Sequence, residues 1–413
     1  MTPFIGSLLD PRVRAVRANP DLLALWFAYA LMLFAMAAMG PVLGEVKDEF
    51  GLTPASTALL VAVQGMGRGG FMLVLAPLAD RMSPRRLMPL GLALTGVGSM
   101  VTAVAPSEWI FGAGIVASAA GSGLVGPGGQ VHLARRSGGE DRRRNIARVM
   151  SGGMFGAFVA PIAAGGAATL LGWRAAFVLV AVLSIAIAAG VASVRTLESS
   201  APEPAGRAGP VAPRRRRPTL GVGRVVLEVS VLAVLLWGWN NTTRGFVLPF
   251  YGSEALRLDP GGIGLLMGLA LGGRAALTFV SGAFVNRFGL GSSLLIATII
   301  GAVGTLMMYA PAGLPVFVGL VLAYTLTGIS SPIVIMMLTE RAPPQRLGQA
   351  MGITQFLVDG VGLGLTPLIG LIVGAAGFGV VGALLAAISL AAGAWGLWIM
   401  RHGEGETSAA ASG

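Results

Sequence analysis

Two arginines stand where arginine is costly. Arg68 closes the run Val61-Ala-Val-Gln-Gly-Met-Gly, and Arg274 closes Leu265-Leu-Met-Gly-Leu-Ala-Leu-Gly-Gly. A cation inside an apolar helical stretch is a functional-site candidate by default. The guanidinium stays charged and presents a planar fork of donors. That fork pairs two-pronged with carboxylate, phosphate or nitrate, so the chemistry on offer is anion recognition. The two positions are related by a shift of 206 residues, and the same shift takes Pro54 to Pro260, Gly67 to Gly273, Arg81 to Arg287, Gly98 to Gly304, Gly156 to Gly362 and Pro161 to Pro367. The chain reads as two copies of one unit, each carrying a cation at matching depth.

Other polar groups fall at similar depth. Arg244 follows Trp237, Trp239, Asn240, Asn241 and Thr243. Gln64 lies one helical turn before Arg68, Gln355 lies one turn before Asp359, and Tyr324 stands in an apolar run further on. Asp359 is the one carboxylate placed deep. It leaves two readings open: an anion site built on Arg68, Arg274 and Arg244, or a structural pair between Asp359 and one arginine with a neutral solute. His132 and His402 flank arginines near segment ends, and neither sits in a deep polar group.

These residues need helices that cross a membrane. Residues are 54% hydrophobic and only 11% charged over 413 positions. A hydrocarbon core of about 30 Å needs roughly 20 helical residues. Twelve runs qualify, near 22–44, 54–79, 87–105, 109–134, 147–171, 174–195, 224–251, 261–285, 291–311, 314–338, 348–374 and 378–400. Alternating strands of the membrane-barrel kind are absent. Glycine and other small residues fill the runs, as close helix packing in lipid requires.

The net charge of +11 does not mark a nucleic-acid binder, because its distribution is lopsided. With the N-terminus placed inside, 23 of the 29 Lys and Arg residues fall on that side. Lys47, Arg174 and Arg257 fall on the other side. This is the positive-inside pattern, and it puts both termini in the cytoplasm of a cell inner (plasma) membrane protein. No cysteine is present, which excludes disulfides and thiol chemistry. The first twenty residues bear arginine, and the first apolar run lacks a cleavage motif, so no signal peptide is expected. Nucleotide-loop, zinc-protease and serine-hydrolase motifs are missing. The chain is therefore read as no enzyme, with no cofactor and no metal.

Four divisions follow. Residues 1–196 form a first six-helix half and 223–401 a second. Residues 197–222, rich in proline, glycine and arginine, read as a basic cytoplasmic linker. Its Arg214–Arg217 run either recognises a partner or sets topology beside anionic lipid. Residues 402–413 read as a disordered tail.

Motifs add to this pattern. Ala76-Pro-Leu-Ala-Asp80-Arg81-Met-Ser-Pro-Arg85-Arg86 stands between spans two and three, and Gly282-Ala-Phe-Val-Asn286-Arg287-Phe-Gly289 repeats it between spans eight and nine. Together with six plus six spans, they make the chain resemble the major facilitator superfamily of secondary transporters over nearly its whole length. The family loop is Gly-x-Leu-Ala-Asp-Arg-x-Gly-Arg-Lys, from which Ala76, Ser83 and Pro84 depart. The resemblance implies an all-α membrane fold of two pseudo-symmetric six-helix bundles. It also implies a gating role for Asp80, Arg81, Asn286 and Arg287, with Asp80 latching near the start of span eleven. Gly152–Gly166 in span five is similar to the family's antiporter motif, with Ala160 replacing one glycine. Close packing alone explains those glycines equally well. Ala117 stands where proton-coupled drug exporters of the family carry arginine. The Arg68 and Arg274 pair is similar to the nitrate/nitrite branch, but spans five and eleven lack that branch's asparagine signature, and a small organic anion fits as well.

The expectation is a secondary transporter working by alternating access. Its solute is a small organic or inorganic anion at Arg68 and Arg274, with Arg244, Gln64, Trp239, Asn240, Tyr324 and Gln355 as further contacts. Asp359 is the expected coupling group, with protons as the coupling ion. The expected partners are solute and membrane lipid, and the expected state is a monomer. The alternative is a drug or lipophilic-compound/H+ antiporter. A non-transporting membrane sensor is the third reading.

Overall fold

The structure is a computed structural model. It describes residues 20–136, 139–194, 197, 224–310, 313–341 and 347–411. Within these, the side chains at 66–69, 72–81, 127–128, 130–144, 224–225, 331, 339–352, 355 and 403–411 lie outside the description.

Apolar runs free of charge become helices because lipid offers the backbone no hydrogen-bond partner, so each segment must satisfy its own N–H and C=O groups. Fourteen α-helical segments result among the described residues: α1 (Pro20–Ala37), α2 (Leu43–Phe50), α3 (Pro54–Arg81), α4 (Pro84–Ala103), α5 (Glu108–Arg136), α6 (Gly139–Leu171), α7 (Arg174–Ser193), α8 (Arg224–Thr242), α9 (Leu248–Glu254), α10 (Pro260–Phe288), α11 (Leu290–Leu306), α12 (Leu314–Leu326), α13 (Ser331–Arg341) and α14 (Leu347–Ala411). A π-helical stretch, Thr243–Val247, joins α8 to α9, and a 3-10 stretch, Thr327–Ser330, joins α12 to α13. No strand occurs among the described residues. Eight stretches among them are long and apolar enough to cross a membrane. The longest, Phe356–His402, holds spans eleven and twelve and breaks at Gly377, where φ is +81°. Only glycine adopts that conformation without penalty, so the turn between the two spans rests on it. The helical backbone continues to Ala411 through the stretch read from composition as disordered. Extending an existing helix fixes one hydrogen bond per residue and needs no new nucleus, and Glu404, Glu406 and Ala409 suit it.

The described residues fall into two compact units. One holds the residues up to Met39 with those from Gly67 to Arg214; the other holds Gly40–Met66 with those from Arg215 on. In the first unit α1 packs on α6, and α4 packs on α5 and α7. In the second, α8 packs on the first part of α14, and α11 packs on α12 and the last part of α14. The same pairing scheme in both units follows from the sequence repeat.

Glycine sets the closest crossings in the first unit. Gly91 and Gly98 on α4 face Gly121 and Gly114 on α5, each pair spaced by seven residues. A Cβ on Gly98 would stand 2.4 Å from the Ser118 nitrogen. Thr95 and Thr102 donate their hydroxyls back to the carbonyls of Gly91 and Gly98, at 3.0 and 2.9 Å, so no hydroxyl hydrogen is stranded. In span five, Gly152, Gly153 and Gly156 press on Trp26, Leu33 and Ala30 of α1. This is the packing reading of the span-five glycines made visible.

The second unit uses hydroxyl pairs. Ser230 meets Thr354 at 2.8 Å and Thr242 meets Thr366 at 3.0 Å. The equal offset shows α8 and α14 running parallel in register over twelve residues, roughly 18 Å of rise. The outward surface is apolar, with Val97, Val182, Ile185, Leu269, Phe279 and Leu322 all exposed. That is the surface a lipid-facing bundle presents.

A methyl at Gly156 would fall 1.8 Å from the Ala30 carbonyl oxygen, whereas Gly166 faces open space. We expect Gly156→Ala to destabilise the purified protein by about 1–3 kcal/mol, as overpacking does, and Gly166→Ala to leave its unfolding midpoint within error. Thermal unfolding in detergent checks both.

Candidate functional site

Arg274 is the centre of the described polar cluster. It lies in the middle of α10, which starts at Asp259, whose carboxylate caps the helix by accepting from Gly261 and Gly262 at 3.1 and 3.3 Å. One guanidinium nitrogen donates to the Asn240 Oδ1 of α8. The guanidinium carbon stands 5.1 Å from the centre of the Tyr324 ring on α12. Both partners are buried, Asn240 at 4% and Tyr324 at 2% exposure, while Arg274 is half-buried.

Each partner is itself held. Asn240 donates through Nδ2 to the Leu236 carbonyl at 2.8 Å, one turn back on its own helix. This leaves Oδ1 as the end that faces the arginine. Behind Tyr324, the Thr327 hydroxyl donates to the Tyr324 carbonyl at 2.6 Å at the point where α12 tightens into the 3-10 stretch. Gly328 in that stretch lets the arginine come close. A Cβ there would meet the Arg274 carbonyl at 2.7 Å and its Cγ at 2.9 Å. Thr278 donates to the Arg274 carbonyl at 3.0 Å.

Magnitudes decide whether this shell suffices. An arginine at the centre of a bilayer costs about 2.5–3.5 kcal/mol on insertion scales. A hydrogen bond to a charged group returns about 1.5–3 kcal/mol, and a cation–π contact about 0.5–2 kcal/mol. The contacts to Asn240 and Tyr324 together offset a cost of that size. Chemically the arrangement presents an oriented guanidinium, whose planar fork of donors is the group that pairs two-pronged with an anion.

The remaining expected residues are distributed as follows. Arg244 lies in the π-helical stretch, half-buried, next to the buried Thr243. Such π-bulges recur at functional sites because they re-aim side chains within a helix. A Cβ on neighbouring Gly245 would lie 3.1 Å from Val61 of α3. Gln64 is half-buried on α3 and Asp359 half-buried on α14. Trp239 is 3% exposed and lines an internal cavity with Asn240. Asn286 and Arg287 are exposed at the end of α10, with Arg287 over the Phe288 ring at 5.6 Å. Arg68, Asp80 and Arg81 fall on α3 and Gln355 on α14, but their side chains lie outside the described residues, as does His132. The Asp80 latch lies outside them too. Ala117 belongs to the α4–α5 crossing, with its backbone beneath Gly98.

Sequence reading missed Gly328, Thr327 and Thr278. A signal was present in Thr327-Gly-Ile-Ser-Ser-Pro332, a small and polar interruption of an apolar run.

A second cluster lies at the far end of the same unit from the α10 C-terminus. Residues 40–66 belong by sequence to the first half, yet they pack with second-half helices. Lys47 of α2 pairs with Glu254 of α9 at 2.8 Å and with Asp48 at 3.2 Å. Glycines bring the backbones together there: Gly44 against Ser253, Gly40 against Met267, and Gly370 against the Pro54 carbonyl.

Comparison with known proteins agrees with this architecture. A "Probable transporter SCO4007" of Streptomyces coelicolor is 29% identical over 295 residues, covering 68% of this chain and 64% of the relative, so the chain matches just under two thirds of that protein's length. An "Uncharacterized transporter YgaY" of Escherichia coli O157:H7 is 29% identical over 163 residues, 38% of this chain and 40% of that one. Among solved structures, a bacterial homolog of the human lysosomal transporter Spinster, inward-facing and unoccupied, superposes with a TM-score of 0.73 at 15% identity, covering 92% of this chain and 96% of its own. The nucleoside transporter NupG superposes at 0.72 with 13% identity, covering 93% and 99%. The model of the Major Facilitator Superfamily matches residues 25–357 and 231–412. With its helical spans and internal repeat, the chain is a multi-pass membrane protein that belongs to the Major Facilitator Superfamily.

Proposed function

We propose that this transporter binds a small organic or inorganic anion at Arg274 and moves it by alternating access. The observation that carries the reading is the guanidinium of Arg274 held at membrane depth by Asn240 and Tyr324. Asn240 and Tyr324 orient the guanidinium, and its planar fork suits a carboxylate, phosphate or nitrate. Arg68, at the repeat-related position, is proposed to meet the anion from the other half. Arg244 and Gln64 are proposed as further contacts. Asp359 is proposed as the group that couples anion movement to protons. The charge asymmetry of the loops supports a plasma-membrane location with both termini in the cytoplasm.

The seam of residues 40–66 on α9, α10 and α14 is proposed as the outer closure of this cycle. Its Lys47–Glu254 pair is half-exposed, so it contributes on the order of 1 kcal/mol or less. A weak pair suits a contact that opens in every cycle.

Purified protein reconstituted in proteoliposomes tests the anion reading. A stabilising small anion is first identified by thermal shift, since a ligand at 100 times its Kd stabilises by about 2.7 kcal/mol. We expect Arg274→Lys to weaken that anion's binding at least about tenfold, the equivalent of 1.4 kcal/mol, because lysine loses the fork. Unchanged binding and flux in that variant would sink the proposal. Gly328→Ala should also lower flux, by pushing the arginine stem off its seat, while membrane yield stays near normal.

The chain has no cysteine, so the outer closure is directly testable. With Lys47→Cys and Glu254→Cys combined, a reducible bifunctional thiol crosslinker should block flux and reductant should restore it. Flux that continues through a completed crosslink rules out opening at this seam.

A further inference from the structure

Inside the second unit lies a cavity that the anion reading does not use. It is lined by Leu235, Leu236, Trp239, Asn240, Ala297, Thr298, Thr327, Ser330 and Ser389, so α8, α11, the 3-10 stretch and α14 all contribute. It holds about 10 Å³ of water-accessible space, close to the roughly 10–15 Å³ that one water needs by that measure. No organic solute fits.

The lining has an unequal supply of donors and acceptors. Thr298 donates to the Leu294 carbonyl at 3.0 Å, Thr327 to that of Tyr324 at 2.6 Å, Ser330 to that of Thr327 at 2.7 Å, and Ser389 to that of Thr298 at 2.7 Å. Each hydroxyl spends its hydrogen on backbone and keeps oxygen lone pairs, so toward the cavity the four act as acceptors. Trp239 is the opposite case. Its indole nitrogen is buried with no hydrogen-bond acceptor, and an indole N–H can only donate. A buried donor left unpaired costs about 1–3 kcal/mol. A cavity lined by the residue that carries this donor and by several acceptors matches a single molecule that accepts once and donates twice.

We propose that this cavity is a binding site for one structural water molecule. The water accepts from Trp239 Nε1 and donates to two of the hydroxyl oxygens of Thr298, Thr327, Ser330 and Ser389. A sodium ion would use the same oxygens, but an indole N–H offers it no lone pair. The site bears on the arginine through both of its partners. Asn240 lines the cavity directly, and Thr327 lines it while donating to the Tyr324 carbonyl. The water therefore joins α8 to the break in span ten and positions the pair that holds Arg274. This role does not depend on which solute is carried.

The test uses the full-length chain in detergent. Ultraviolet resonance Raman spectra of wild type and Trp239→Phe are subtracted to isolate the Trp239 indole. The difference should show a hydrogen-bonded indole N–H, and Thr298→Val together with Ser389→Ala should move it toward the free position. A free N–H in wild type overturns the proposal. An experimental structure fine enough to show ordered water decides independently of the variants. It should show one peak about 2.7–3.2 Å from Trp239 Nε1, and an empty cavity overturns the proposal. Replacing sodium with choline should leave the unfolding midpoint unchanged. A sodium-specific stabilisation lost in Thr298→Val would assign the site to the cation instead of water.

Discussion

A guanidinium in a layer that offers no water must take its hydrogen bonds from protein, and much of the second unit is arranged around that need. Arg274 reaches Asn240 on α8 and the ring of Tyr324 on α12. Asn240 is oriented by the Leu236 carbonyl, and Tyr324 sits where the helix tightens and Gly328 clears room for the arginine stem. Three helices are thereby committed to one another through a single side chain. Under the proposed reading, a solute that competes for that side chain would act on all three.

The same scarcity of partners explains the hydroxyls. In lipid an unpaired O–H is costly, so Thr95, Thr102, Ser230, Thr298 and Ser389 all donate to backbone carbonyls. Two parallel helices, α8 and α14, add hydroxyl-to-hydroxyl contacts at two levels. Glycine beside such hydroxyls lets the backbones touch. The first unit relies on this at the α4–α5 and α1–α6 crossings. Dispersion contacts at such crossings replace the hydrophobic drive, which lipid removes.

The seam of residues 40–66 shows a different balance. Glycines at 40, 44 and 370 bring its surfaces into contact, and a modest ion pair, Lys47 with Glu254, sits at its edge. A pair near solvent at the edge suits the proposed contact that separates and re-forms. The α4–α5 crossing, with a backbone nitrogen only 2.4 Å from where a Gly98 Cβ would stand, suits one that does not.

Sequence alone determined the helical segments, the internal repeat and the family, and it singled out Arg274 as a candidate. Each is written in local pattern: hydropathy sets where a chain leaves water, the 206-residue shift survives in glycine, proline and arginine, and an arginine among leucines is visible without coordinates. Asn240 and Tyr324 were legible as polar residues at the right depth, but not as the partners of Arg274. Hydropathy records depth and leaves rotation about the helix axis open, and rotation decides which side chains meet. The tertiary structure therefore decided that Trp239 faces an internal cavity, that Gly328 makes room for the arginine, and that residues 40–66 pack with the second half instead of the first. Those outcomes depend on contacts between segments far apart in the chain, where shape and hydrogen-bond complementarity choose among partners of equal hydropathy.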